Sequence, residues 1–422
     1  MFSISTRCVF PTTVTDSLAP CGPSSVLVSA RSIPGRRMNC PRSGRIRTCP
    51  KRLARLRNVS ACLFTPLWLN VICIELLLQS ILSPEQGVEL TKNLRAGLVG
   101  LGMMGRNHAR VLASLDGVDL VGVADACGDP HGVAAGRPVF TDVEALINLG
   151  LDYCAVVVPT EFHAPVGLAL AEAKVHALIE KPLAHDLPAA RKLVDAFAAA
   201  GVIGAVGHVE RYNAALRSAR RRLENGDLGE VYQIITRRQG PFPGRIADVG
   251  VVKDLATHDI DLTSWVAQQP YAAVSARTAF RSGRQYEDLV AVVGSLADGT
   301  VTNHLVNWLS PLKERVTIVT GERGAFVADT LTADLTFYAN GSIPTGWSKI
   351  AQFRGVSEGD MIRYAIPKPE PLRVEHENFR DAVLGLPADI VTLEQGLSTV
   401  EVAEAMIESS ALGRTVDLKV PV

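Results

Sequence analysis

The pattern of apolar and polar positions changes character near Arg95. Residues 1–60 show neither a helical nor a strand period and are rich in Pro, Ser, Arg and Cys, which predicts no stable structure. From Arg95 onward, short apolar runs alternate with stretches of helical period. A strand opens at 95–99, a helix runs through Leu115, and a second strand, VDLVGVADA, ends at Asp125. Tyr153–Val158 reads as a buried strand, Ala164–Ala173 as a helix, Val175–Ile179 as a strand, 186–200 as a helix and Val202–Val209 as a strand. This alternation predicts an α/β fold with a doubly wound parallel sheet. Ligands of such sheets sit beyond the C-terminal strand ends, the edge where Gly100, Asp125, Pro159, Lys181 and His208 fall.

Beyond Arg211 the pattern becomes β-rich. A helix at Ala214–Glu224 leads into a strand at Glu230–Arg237, and further β runs occupy 271–280, 287–297, 300–308 and 314–320, with Asp298-Gly299 as a hairpin turn. These predict a second, α+β domain with a largely antiparallel open sheet. Helices near 373–385 and 392–412 are expected to pack back on the body. The expected organisation is residues 1–93 as an extension, 94–210 as a Rossmann domain, and 211–422 as a domain for substrate and oligomer contacts.

Charge and cysteine sharpen that division. The chain holds 43 basic and 43 acidic residues, but residues 1–96 carry 13 Lys or Arg against four acids, a balance of +9 that leaves −9 for the rest. The total indicates no attraction to nucleic acid or anionic membrane. Six of eight cysteines precede residue 96, leaving Cys127 and Cys154 in a body that reads as reduced and cytoplasmic. The apolar run 61–82 has the length of a membrane helix, but Pro66, Asn70, Glu75 and Gln79 interrupt it. It lies too far from Met1 for a secretory signal. The cysteine spacings match no compact metal motif, so the segment is expected to be a translated upstream extension, with the start near Val88 or Leu90.

Three groups of residues carry chemistry. In GLVGLGMMGRNHAR, Gly100 permits a tight turn, Gly102 lets the backbone approach a pyrophosphate, and Gly105 allows close helix–strand packing, with free amides at the helix start facing phosphate. Asp125, 20 residues after Gly105, is placed to accept hydrogen bonds from a ribose and favours NAD over NADP. A turn or capping aspartate is the alternative reading. In KDLATHDIDLTSWV, a regular helix would put Asp254, His258 and Asp261 on one face, an imidazole beside carboxylates that suits proton transfer, or a wet polar face. A metal pair lacks a third ligand. Lys181, at a strand end before Pro182, would emerge in the crevice, where an ammonium can stabilise developing negative charge. Arg245, Lys253, Lys313 and Arg315 could meet a phosphate or carboxylate; for Lys313 and Arg315 the surface-charge reading is favoured.

GLVGLGMMGRNHAR, VVVPTEFH, EKP and the DLATHDID helix, in that order, resemble the glucose-fructose oxidoreductase and inositol dehydrogenase (Gfo/Idh/MocA) family over about residues 95–415. The resemblance implies NAD(P)-dependent oxidation of sugars, cyclitols or nucleotide-activated sugars, and an open second-domain sheet that joins subunits as a homodimer or homotetramer. It looks most like members acting on UDP-N-acetylglucosamine. It carries the family lysine onto Lys181, its helix aspartate onto Asp254 and its histidine onto His258. Its Pro-Asn-x-x-His segment falls on Pro159, Thr160 and His163, with Thr in place of the commoner Asn. The expected cofactor contacts are Gly100, Gly102, Met103, Met104, Gly105 and Asp125, joined by Pro159, Thr160, His163, Glu180 and Lys181. GHVERYN, with Glu210, is expected to line the site, with His208, Arg211 and Asn213, and with Asp261 of the helix, as substrate contacts. The reading is a dehydrogenase with His258 as base, Asp254 as its orienting partner and Lys181 as stabiliser of alkoxide character. An NAD-dependent glycosidase and a non-catalytic NAD-binding regulator are the alternatives.

Overall fold

The computed structural model describes residues 93–244, 249–341 and 358–420, all within the unit Gln86–Val422. The expected upstream extension, its apolar run 61–82 and Arg245 lie outside the described residues.

The first sheet has six parallel strands in the order β3-β2-β1-β4-β5-β6: β1 Leu94–Val99, β2 Val118–Ala124, β3 Val139–Phe140, β4 Tyr153–Val156, β5 His176–Glu180 and β6 Gly204–Gly207. Helices α1 Met103–Leu112, α2 Val143–Ile147, α3 His163–Glu172 and α4 Leu187–Ala200 connect them. Every residue of β4 is buried, as a strand covered on both faces requires. β3 and α2 went unread in the sequence because two and five residues are too short to show a period.

The second sheet has nine strands in the order β14-β13-β12-β11-β7-β10-β9-β8-β15. They are β7 Val231–Pro241, β8 Tyr271–Ala279, β9 Leu289–Leu296, β10 Val301–Asn307, β11 Leu309–Gly321, β12 Gly324–Asp329, β13 Asp334–Asn340, β14 Glu358–Arg363 and β15 Val416–Asp417. Among the described residues only β7 and β10 of this sheet pair in parallel, so it is largely antiparallel as expected. The Asp298-Gly299 turn joins β9 to β10, with the Asp298 carboxylate accepting the Thr300 N–H at 2.9 Å. One face is covered by α5 Ala214–Glu224 and by α6 Thr257–Ala267, which contribute Leu216 and Leu262 to a core with Ile234, Val319 and Phe326.

Two C-terminal helices return to the first sheet. Phe379 of α7 Pro371–Val383 joins Leu98 and Tyr153, with its ring edge-on to Tyr153 at 5.4 Å. Helix α8 Leu393–Leu412 starts on a Thr392–Gln395 capping box. Its Leu393 and Val400 enter the Rossmann core, while Val402, Ala403 and Met406 enter the core beneath the second sheet. Among the described residues no helix is long and apolar enough to cross a membrane.

Candidate active site

The glycine loop lies between β1 and α1. Gly100 has φ +95°, and a Cβ there would approach the Val157 carbonyl oxygen to 2.3 Å; one on Gly105 would reach the Gly100 oxygen at 2.0 Å. Neither position admits a side chain. At Gly102, by contrast, a Cβ would meet nothing within 4 Å, so the backbone faces open space. Gly102 caps α1 without any side-chain bond, leaving first-turn amides beside exposed Met103 and half-buried Met104. Open amides over a bare glycine fit a dinucleotide pyrophosphate. Asp125 stands half-exposed at the end of β2, its carboxylate accepting the Leu101 N–H at 2.7 Å and the Cys127 N–H at 2.8 Å. It therefore ties the loop to the strand end where a ribose would lie.

Across the crevice, Pro159 and buried Thr160 begin a short 3₁₀ turn into α3. His163 is buried, with Nδ1 2.8 Å from the Pro182 carbonyl and Nε2 2.9 Å from that of Val158. It joins the end of β4 to the Glu180-Lys181-Pro182 turn rather than opening to the crevice.

The Lys181 ammonium donates to the Asp254 carboxylate at 3.0 Å and to the Asp254 carbonyl at 2.8 Å. That pairing corrects the expectation that Asp254 orients His258. Val252–Ala256 is a π-helical turn, with the Val252 N–H bonded to Glu287 at 3.0 Å, and only from Thr257 does α6 wind regularly. The wider turn breaks the 3.6-residue register, so Asp254 swings to Lys181 and, among the described residues, no side-chain hydrogen bond joins it to His258. The His258 Nδ1 is buried without a hydrogen-bond partner among the described residues. Burial, then the charges of Lys181 and Arg238, push this imidazole well below its ordinary pKa. His208 lies beside it, ring centroids 6.5 Å apart, and burial lowers its pKa too.

Three residues expected as substrate contacts have protein partners. Arg211 forks onto both oxygens of Asp261 at 2.8 and 2.6 Å, both bonds buried, and donates to exposed Gln395 at 2.9 Å. Asn213 caps α5 through the Ala215 N–H and donates to the Thr330 carbonyl, each at 3.0 Å. Desolvated polar groups take protein partners, so Arg211, Asn213 and Asp261 are consumed in joining elements. Of that set, His208 has no hydrogen bond at either ring nitrogen among the described residues, its Nδ1 standing 3.9 Å from Asp261.

Several neighbours were missed. Arg238 of β7 holds Asp259 at 3.0 Å and Glu210 at 2.8 Å. Behind Lys181, Glu180 accepts the Lys181 N–H at 3.1 Å and bonds His108 at 3.0 Å, and His108 in turn lies 2.9 Å from His376 of α7. Glu180, expected as a cofactor contact, is buried with its carboxylate on His108. Only the helical position of His108 within GRNHAR gave a signal; residues 268 apart in sequence give none.

A family model described as "Oxidoreductase family, NAD-binding Rossmann fold" matches residues 94–208, and one described as "GFO/IDH/MocA C-terminal domain" matches residues 216–327. The chain belongs to the Gfo/Idh/MocA family. Within it, the chain is 29% identical over 214 residues to UDP-N-acetylglucosamine 3-dehydrogenase of Acidithiobacillus ferrooxidans, covering 50% of this chain and 66% of that enzyme. It is 31% identical over 194 residues to inositol 2-dehydrogenase 4 of Saccharopolyspora erythraea, covering 44% and 57%. The matches therefore span just under two thirds, or less, of those relatives' own lengths. The crystal structure of the Acidithiobacillus enzyme GnnA superimposes with TM-score 0.67 at 25% identity, covering 75% of this chain and 97% of that one. GenD2 from gentamicin A biosynthesis, solved in complex with NAD, gives 0.64 at 27% identity, covering 78% and 97%. The sheet order, the bare Gly102 and the Lys181–Asp254 bridge are what this Gfo/Idh/MocA chain presents at the same edge.

Proposed function

We propose that the protein is an NAD-dependent dehydrogenase acting on a secondary hydroxyl of a sugar, a cyclitol or a nucleotide-activated amino sugar. The observation that carries this reading is the partner-free imidazole of His258 beside the Lys181–Asp254 bridge, at the strand edge that ends in the open glycine loop.

Gly100, Gly102 and the first turn of α1 would hold the pyrophosphate, and Asp125 the ribose. NAD, when bound, supplies the hydride acceptor. The chain's own residues manage the proton and the charge. His258, held neutral by its burial, accepts the hydroxyl proton as the alcohol oxygen becomes a carbonyl oxygen. Lys181 has three ammonium N–H groups, two of them committed to Asp254, which leaves one to donate to the oxygen as its negative charge grows. Asp254 positions that lysine.

The named activities of the relatives support nucleotide-linked amino sugars and inositols as substrate classes. The outer face of the second sheet exposes Tyr232, Val293, Val301 and Leu305, which supports subunit association there. Free thiols at Cys127 and Cys154 suit a reducing cytoplasm.

The test is NADH formation at 340 nm against free sugars, inositols and UDP-sugars. Lys181→Met and His258→Asn should each lower turnover by about 10²-fold or more while still binding NADH. Wild-type turnover in either variant, or aryl-glycoside cleavage without net NADH, would overturn the reading.

A further inference from the structure

Strands β7 and β11 pair antiparallel, with Arg315 directly opposite Arg238. Directly opposed residues of a ladder share a face. Arg238 lies on the face covered by α6, where it holds Asp259 and Glu210, so Arg315 points to the same side. It is close enough for its charge to act on His258, and the charges of Arg238, Glu210, Asp259 and Asp254 act on it, none of these carboxylates forming an ion pair with it.

Its surroundings differ from those of the neighbouring guanidinium groups. Arg238 and Arg211 are each paired with carboxylates. Arg315 is half-buried and donates only from Nη1, to the Gln239 carbonyl at 3.2 Å and the Glu314 carbonyl at 3.1 Å. Among the described residues it has no ion pair, and its Nε and Nη2 have no hydrogen bond. Two carbonyls thus fix one arm of the fork while the rest points free. A half-buried cation held without a counter-ion is costly unless an anion completes it. Nearer the rim, exposed Lys313 borders Gly240, the same-face position two residues beyond Arg238.

We propose that Arg315, with Lys313 at the rim, forms a subsite for an oxyanion of the substrate, either a sugar carboxylate or a phosphoryl group of a nucleotide diphosphate. This deepens the dehydrogenase reading and rests on it for the word substrate. It assigns to Arg315 a role opposite to the surface charge expected from the sequence. The guanidinium sets which sugars enter, and an anionic sugar is the class selected over neutral sugars and cyclitols.

The experiment is calorimetric titration of the NADH-loaded full chain with UDP, UDP-N-acetylglucosamine, glucuronate, glucose and myo-inositol. The expected result is that UDP ligands or glucuronate bind at least about tenfold tighter than the neutral ligands, the energy of hydrogen bonds to a charged group. The diphosphate and carboxylate arms tell the two sources apart. Arg315→Met should lose that advantage while its NADH binding, which reports folding, persists. Arg315→Gln, which can still donate to a carbonyl, should lose it as well, and Lys313→Met should lose a smaller part. Equal binding of neutral and anionic ligands, absence of any anion binding, or anion affinity unchanged in both Arg315 variants would overturn the proposal. Turnover is read separately: anion binding through Arg315 without NADH formation faults the dehydrogenase reading and leaves the subsite standing.

Discussion

His258 shows how much one side chain's surroundings decide. An ordinary exposed imidazole titrates near pH 6.5 and would be half-charged in weakly acidic solution. Here burial, reinforced by the cations Lys181 and Arg238, opposes protonation. A depressed pKa keeps the base unprotonated to lower pH, so the acid limb of kcat/KM should fall below the ordinary imidazole range. A pH–rate profile checks this: kcat/KM should still be on its plateau at about pH 6.5. Lys181→Met should shift the limb upward, toward the ordinary value, because it removes the largest of the charges acting on the ring. His258, Lys181 and Asp254 were all legible as chemistry-bearing residues from their spacing and strand-end position. Their pairing was not, since it depends on the helical turn adopted by 252–256.

At the level of elements, the 3₁₀ turn Val209–Tyr212 is fastened to α6 and α8 by a single arginine. Arg211 reaches Asp261 on one helix and Gln395 on the other, with its side chain and that of Asp261 nearly inaccessible to solvent. Removing one member of such a pair strands a buried charge. Arg211→Met should therefore destabilise the fold by about 3–5 kcal/mol, whereas Arg211→Met combined with Asp261→Leu should cost less than either change alone. Chemical denaturation of the three variants measures this. Intact stability in Arg211→Met would show that the clamp is not structural and would restore the substrate role read from the sequence. The strands and helices were legible where apolar periodicity was strong, as in Tyr153–Val156 and its continuation or in α4, whereas β12, β13 and β14 carry too few consecutive apolar positions to be read. Short strands such as β3 and β15 exist only because a longer neighbour offers them a ladder.

Across the whole molecule, α8 joins the Rossmann core to the core beneath the second sheet, and α7 carries a polar seam between them. Glu375 on α7 is buried, and neither of its carboxylate oxygens has a hydrogen-bond partner among the described residues. Burial, then the charges of Glu180 and Asp261, hold its pKa well above the usual 4.5. The folded state therefore keeps a proton that the unfolded chain releases near pH 4.5. Stability from this group is full below that pH and is lost as pH rises toward the folded value. Glu375→Gln, which mimics the protonated acid, should match wild type near pH 4.5 and become progressively more stable than wild type as pH rises above it. The gap should grow by up to about 1.4 kcal/mol per pH unit until the folded protein's own carboxyl ionises. Melting curves of the two proteins at several pH values test it; a difference independent of pH would show that Glu375 is ionised in the folded protein.

The sequence by itself determined the alternation of strands and helices, the glycine turn and the family, because periodicity, glycine spacing and strand-end residues are local properties. Only the tertiary structure decided which charges meet. Asp254 went to Lys181 because a π turn rotated it there. Asp261 and Arg211 closed on one another, and among the described residues Arg315 was left without an ion pair, because a charge settles with whatever the fold brings within about 3 Å. Sequence spacing records the first kind of constraint and carries no trace of the second.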